Sequence, residues 1–221
     1  MRPEIFPRTR PVRRLVQLYL GLILYGVSCA LMVQARLGLD PWDVLHQGLS
    51  RQFGLAIGTW AILVGVAVLL LWIPLRQWPG LGTVSNVVII GLVMNVVLDL
   101  LPETDRIPLR LALLVGGVVL NGMATGCYIG AGLGPGPRDG LMTGIAARGH
   151  SIRVVRTGIE LTVLATGWLL GGTVGLGTVV YALGIGPLAH LFIPLGSRGM
   201  ARPEPVAPVE GTAAVGTAGT V

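Results

Sequence analysis

The chain has 221 residues, of which 52% are hydrophobic and only 12% charged, about half the charged share of a soluble domain. Its net charge of +6 comes from sixteen Arg and no Lys, gathered near the ends of apolar runs and not interleaved with aromatics along a stripe. That pattern excludes a soluble domain and a nucleic-acid binder, makes the lipid bilayer the first partner, and defines an integral membrane protein.

Residues 1–14 form an Arg-rich N-terminus, and residues 15–33 an apolar run. Arg before an apolar run imitates a signal peptide, with Val33-Gln34-Ala35 as a cleavage site. The run exceeds the usual h-region of about 7–15 residues and has an internal copy starting at Leu111, so it reads as a retained first span. Residues 41–53 come next, with Trp42, Leu45, Leu49 and Phe53 at helical spacing but Asp43, His46, Gln47 and Arg51 between them. Such a helix is too short to cross hydrocarbon and too polar to face lipid, so it either lies at the interface or dips into the protein as a half-helix.

Further spans are expected at 59–75, 82–101, 111–131, 154–171 and 177–195, with a second short polar helix at 137–148. The expected fold is all-α: six transmembrane helices plus two short polar ones. Domain organisation follows as 1–14, a first three-span unit 15–101, a second 111–196, and a tail 198–221 whose Pro, Ala, Gly and Thr content suits a disordered segment. Cys29 and Cys127 fall inside apolar runs and read as small buried hydrophobes, not as a metal or redox pair.

The two units are copies. Leu37-Gly38-Leu39-Asp40-Pro41-Trp42-Asp43 returns as Leu133-Gly134-Pro135-Gly136-Pro137-Arg138-Asp139, and Gly80-Leu81-Gly82-Thr83-Val84 as Gly175-Leu176-Gly177-Thr178-Val179. Gly21 and Gly26 match Gly117 and Gly122, small residues that let helices approach closely. Copies with an odd number of spans sit upside down relative to each other, a plan shared by many secondary transporters. With both termini cytoplasmic, twelve Arg lie inside and only Arg36, Arg51, Arg106 and Arg110 outside. Charge and repeat parity therefore agree on inversion.

The helix-start motif has a mechanical reading: Asp40 caps, Pro41 takes the first helical position, and Asp43 closes a capping box and complements the dipole. Gly136, Pro137 and Asp139 take the same places in the second copy. The functional reading makes the two helix starts, with Asp43 and Asp139, parts of one solute path in which cations or protons fit better than anions. The copies diverge where Arg153, Arg156 and Glu160 replace Gly58, Ala61 and Gly65. Arg156 and Glu160, four apart, share a helix face and either anchor the helix as an ion pair or couple transport to a proton or ligand. Asn95 aligns with His190, and Asn86 with Tyr181; interhelical hydrogen bonds explain these, with a relay through His190 as the alternative.

No nucleophile elbow, phosphate loop, His-Glu-x-x-His or Cys-x-x-Cys appears, so no enzyme, cofactor or metal is expected.

The run from Gly38 through Pro41-Trp42-Asp43-Val44-Leu45-His46-Gln47-Gly48-Leu49-Ser50 resembles the bacterial YczE/YyaS/YitT membrane proteins. Gly132-Leu133-Gly134-Pro135-Gly136-Pro137-Arg138-Asp139-Gly140-Leu141-Met142, Arg156-Thr157 with Glu160, and the stretch 167–178 carry the same resemblance, nearest the YczE branch. It implies a multi-span protein of the bacterial inner membrane and supplies no catalytic residues; the C-terminal domain common in the YitT branch has no counterpart in the short tail. Two functions are carried forward: a small-solute or ion transporter, proton-linked in one form, or an accessory protein that supports another membrane enzyme or complex.

Overall fold

The computed structural model describes residues 10–198, and every regular element among them is a helix. In chain order these are α1 (Pro11–Ala35), α2 (Pro41–Phe53), α3 (Ile57–Leu75), α4 (Leu81–Leu100), α5 (Ile107–Gly130), α6 (Pro137–Ala146), α7 (Ile152–Leu169) and α8 (Leu176–Gly196). A helix is present at each expected place. The stretches 1–9 and 199–221, which hold most of the Arg-rich N-terminus and of the tail, lie outside the described residues.

Five helices, α1, α3, α4, α5 and α8, are long and apolar enough to cross a membrane. The sixth expected span, α7, has 18 residues but carries Arg153, Arg156 and Glu160, which lower its apolar content. Much of the outer surface is apolar, with Leu70, Ile73, Leu92, Val96, Val115 and Leu183 exposed, as suits a surface solvated by lipid tails.

The core runs along α1 and α5, which pack against each other, with α4 beside α1 and α8 beside α5. Glycine makes this possible. A methyl group on Gly21 would stand 2.7 Å from the Tyr128 backbone nitrogen, and one on Gly117 2.8 Å from Met32 Cγ. Gly26 faces Val93 of α4 and Gly122 faces Leu188 of α8, at 2.7 and 2.6 Å. Without hydrophobic driving force between helices in lipid, such close backbone approach is what holds them together. Buried Asn121 adds a hydrogen bond to Ser28 Oγ, at 2.9 Å.

The two copies are also interlocked through their loops. Leu37 O accepts from Gly177 N at 2.7 Å, and Leu133 O accepts from Gly82 N at 2.8 Å. Each Leu-Gly turn therefore seats on the Gly-Leu-Gly-Thr helix start of the other copy. Gly38 and Gly134 adopt φ of 112° and 122°, a region closed to most other residues. The short helices cross over likewise, α2 packing on α7 and α6 on α3.

Candidate functional site

Asp40 caps α2 as its sequence suggests, its side chain accepting from Trp42 N at 3.1 Å and Asp43 N at 3.3 Å. Asp43 does not complete a capping box. Its Oδ1 faces His46 Nδ1 at 3.0 Å, and its Oδ2 is buried without a partner among the described residues. The reason is local: His46 sits one turn along the same buried helix face and offers a stronger donor than the chain end does. Gly136 caps α6 with no side chain to give, so the second helix start has no side-chain cap.

The two helix starts meet. Trp42 and Arg138 occupy equivalent places in the two motifs, and the Arg138 guanidinium lies over the Trp42 ring, 4.8 Å from its centroid. The same guanidinium stands 3.7 Å from Asp40 and 4.0 Å from Asp43. These are ion-pair distances, too long for hydrogen bonds.

Beside this cluster is a cavity of about 310 Å³. Asp40, Pro41, Trp42 and His46 line it from the first motif, and Gly136, Pro137, Arg138 and Asp139 from the second. Arg156 and Glu160 reach it from α7, paired at 3.0 Å. Tyr25, Tyr128 and Tyr181 complete the polar wall; Tyr128 donates to Asp139 Oδ2 at 3.2 Å. Of the residues singled out in the sequence, Asp40, Pro41, Gly136, Pro137, Asp139, Arg156 and Glu160 line one cavity, with Asp43 directly behind His46.

Two do not join it. Asn95 accepts from Gly58 N at 2.8 Å and donates to Thr59 at 3.1 Å, knitting α3 to α4. His190 is exposed on α8 and does not line the cavity. Arg138 and His46 are the residues that sequence reasoning passed over. Arg138 occupies the place in the second motif that Trp42 holds in the first, but nothing in that alignment gives their distance.

The cavity is flanked by seams that differ between the copies. α3 packs on α4 through Gly58 and Gly91; a methyl on either would lie 2.1 or 2.3 Å from the other's carbonyl oxygen. In the second copy Gly58 and Gly65 are replaced by Arg153 and Glu160, side chains too large and too polar for a dry glycine seam. α7 accordingly does not pack along α8, and a methyl on Gly186, the counterpart of Gly91, would meet nothing within 4 Å. Arg156 and Glu160 line the cavity at this open edge, their side chains 56% and 36% exposed.

Asp40 and His46 lie outside the spanning helices, and burial acts on them in opposite senses. Burial, with the Asp43 carboxylate adding to it, raises the Asp40 carboxyl to about 7. Burial, then the Arg138 cation, lowers His46 to about 3. His46 is therefore neutral, and its contact with Asp43 is a hydrogen bond donated by Nδ1–H, which leaves Nε2 as an acceptor. That atom is buried with no partner among the described residues, and His46 is one of the residues lining the cavity. Cys29 and Cys127 are free thiols; Cys29 lies with Asp40 and Asp43 in a buried group whose ligand atoms fall within 4.8 Å of one another. The nearby Arg138 supplies the positive charge that an ion would otherwise bring.

An all-helical bundle with five span-length apolar helices, a lipid-suited exterior and a charged interior cavity defines a multi-pass membrane protein. Residues 12–194 match the family of unknown function DUF6198, and the chain belongs to it. It is 40% identical over 182 residues to an uncharacterized protein of Haemophilus influenzae, covering 82% of this chain and 84% of that protein. It is 35% identical to the uncharacterized membrane protein YczE of Bacillus subtilis, over 80% of this chain and 83% of that one. To YyaS of Bacillus subtilis it is 28% identical, over 81% and 92%. The resemblance to the YczE/YyaS proteins is thus met. No solved structure matches.

Proposed function

We propose that this protein is a transporter of a small solute or ion, with α7 as a sixth span and the two three-span copies inverted in the bilayer. One observation carries the proposal: both repeat-related helix starts and the Arg156–Glu160 pair, three elements far apart in sequence, line a single cavity. A purely structural role gives no reason to gather three carboxylates and two guanidiniums around one cavity, since desolvating a buried one such as Asp40 costs several kcal/mol. The loop exchange between copies suits rocking of one half against the other, and the tight α3–α4 seam with its open α7–α8 counterpart suits a cavity open on one side. The Arg count favours cytoplasmic termini.

Flux into proteoliposomes tests this, with alkali cations, amino acids, amines and sugars supplied in turn and a trapped pH dye reporting proton movement. Solute-dependent flux that Glu160→Gln abolishes, in a variant with unchanged thermal unfolding, is the expected result. Normal flux by that variant removes the coupling role from Glu160. No flux from any solute, together with a stoichiometric membrane partner retained in mild detergent, replaces transport with the accessory role.

A further inference from the structure

The charges lining the cavity are of both signs, and they are incompletely used. Arg138 has five N–H donors, yet among the described residues its guanidinium makes no hydrogen bond; it is held by ring stacking and by two carboxylates at 3.7 and 4.0 Å. Its side chain is 31% exposed where it lines the cavity. Beside it, Gly136 lacks the carboxylate that Asp40 contributes at the equivalent helix start, so the backbone N–H groups of Arg138 and Asp139 take no side-chain acceptor. Donors for a carboxylate thus gather on one wall.

The opposite requirement is met around them. Among the described residues Asp139 accepts one hydrogen bond, from a phenol to Oδ2, and Glu160 is half of an exposed pair. The buried His46 Nε2 is an acceptor without a donor among the described residues. Tyr25, Tyr128 and Tyr181 supply ring faces and hydroxyls suited to an ammonium group. A lone anion would be repelled by Asp40, Asp139 and Glu160, and a lone cation would leave the Arg138 donors idle. The volume sets the size: at about 30 Å³ per water, 310 Å³ holds roughly ten non-hydrogen atoms.

We propose that the cavity binds a small zwitterion, its carboxylate on Arg138 and the start of α6, its ammonium group towards Asp139, Glu160 and His46. This rests on the reading of the cavity as a solute site and names the class of solute. Ligand charges also open the Arg156–Glu160 pair by offering each member a new partner.

The test uses the full chain in detergent and three zwitterions of increasing charge separation: glycine, glycine betaine and γ-aminobutyrate. Ethanolamine, choline, acetate and butyrate serve as singly charged controls. Titration calorimetry should show saturable binding of at least one zwitterion, with each matched control at least tenfold weaker. Arg138→Gln should bring the zwitterion down to the affinity of the matched cation. That variant leaves Asp40 and Asp43 without their cation and can fail to fold. Glu160→Gln, at the open edge, therefore provides the second test and should weaken the zwitterion at least tenfold. No saturable zwitterion, or a control binding as tightly as the zwitterion, overturns the proposal. Zwitterion binding without flux sustains it while sinking transport; flux of a singly charged solute without zwitterion binding does the reverse.

Discussion

Adding one methyl group at each of two repeat-related glycines should have opposite consequences. In Gly91→Ala the new Cβ would lie 2.3 Å from Gly58 O and 2.6 Å from Ile62 Cγ1. The first contact is about 1 Å short of ordinary van der Waals separation, and a backbone carbonyl cannot swing aside. α3 and α4 must part, loosening Gly58, Gly65 and the 2.8 Å bond from Gly58 N to Asn95. Overpacking of this kind costs about 1–3 kcal/mol, and the strained hydrogen bond adds about 1. Better helix propensity returns about 1 kcal/mol, leaving a net loss of roughly 1–3. In Gly186→Ala nothing lies within 4 Å, so only the propensity gain remains. Thermal unfolding of the purified chain should show Gly91→Ala lowered by several degrees, at about 2–4 °C per kcal/mol, and Gly186→Ala unchanged or slightly raised. Equal losses would mean that α7 and α8 are packed as tightly as α3 and α4, and the asymmetric cavity edge would be refuted.

Other outcomes follow from the charged cluster. Asp40→Ala should destabilise by about 1–2 kcal/mol through loss of the α2 cap, with Asp40→Asn milder because it still accepts from Trp42 and Asp43; unfolding midpoints at pH 7 decide this. The pH dependence has opposite signs for Asp40 and His46. Asp40, raised from about 3.9 to about 7, adds stability at low pH that is lost as pH rises through 7, while His46, lowered from about 6.5 to about 3, adds stability as pH rises over that interval. The two nearly cancel between pH 4 and 6.5, so midpoints should be flat there in the parent chain, rise with pH in Asp40→Asn and fall with pH in His46→Gln. Parallel profiles in both variants would contradict the assigned protonation states. Arg156→Ala should alter stability by less than about 1 kcal/mol, because its pair with Glu160 is exposed; a larger loss in unfolding assays would make the pair an anchor of α7.

The class of protein, the helix list and the two-copy plan were all set by the sequence, because each depends on local or self-referring information. Apolar run length against bilayer thickness defines a span, and a motif repeated at constant offset needs no coordinates to be seen. Asp40 as a cap and glycine pairs as contact surfaces were legible for the same reason. Tertiary structure alone decided which polar residues share space. Asn95 and His190 align in sequence, yet one ties α3 to α4 and the other is exposed on α8, because only the first copy has a glycine seam to receive it. Asp43 carried the features of a box-closing residue, but burial placed it against His46, and a buried carboxylate takes the stronger donor. Above all, the meeting of Arg138 with Trp42, Asp40 and Asp43 depends on the crossing of the two copies, and no local pattern encodes a distance across roughly a hundred residues.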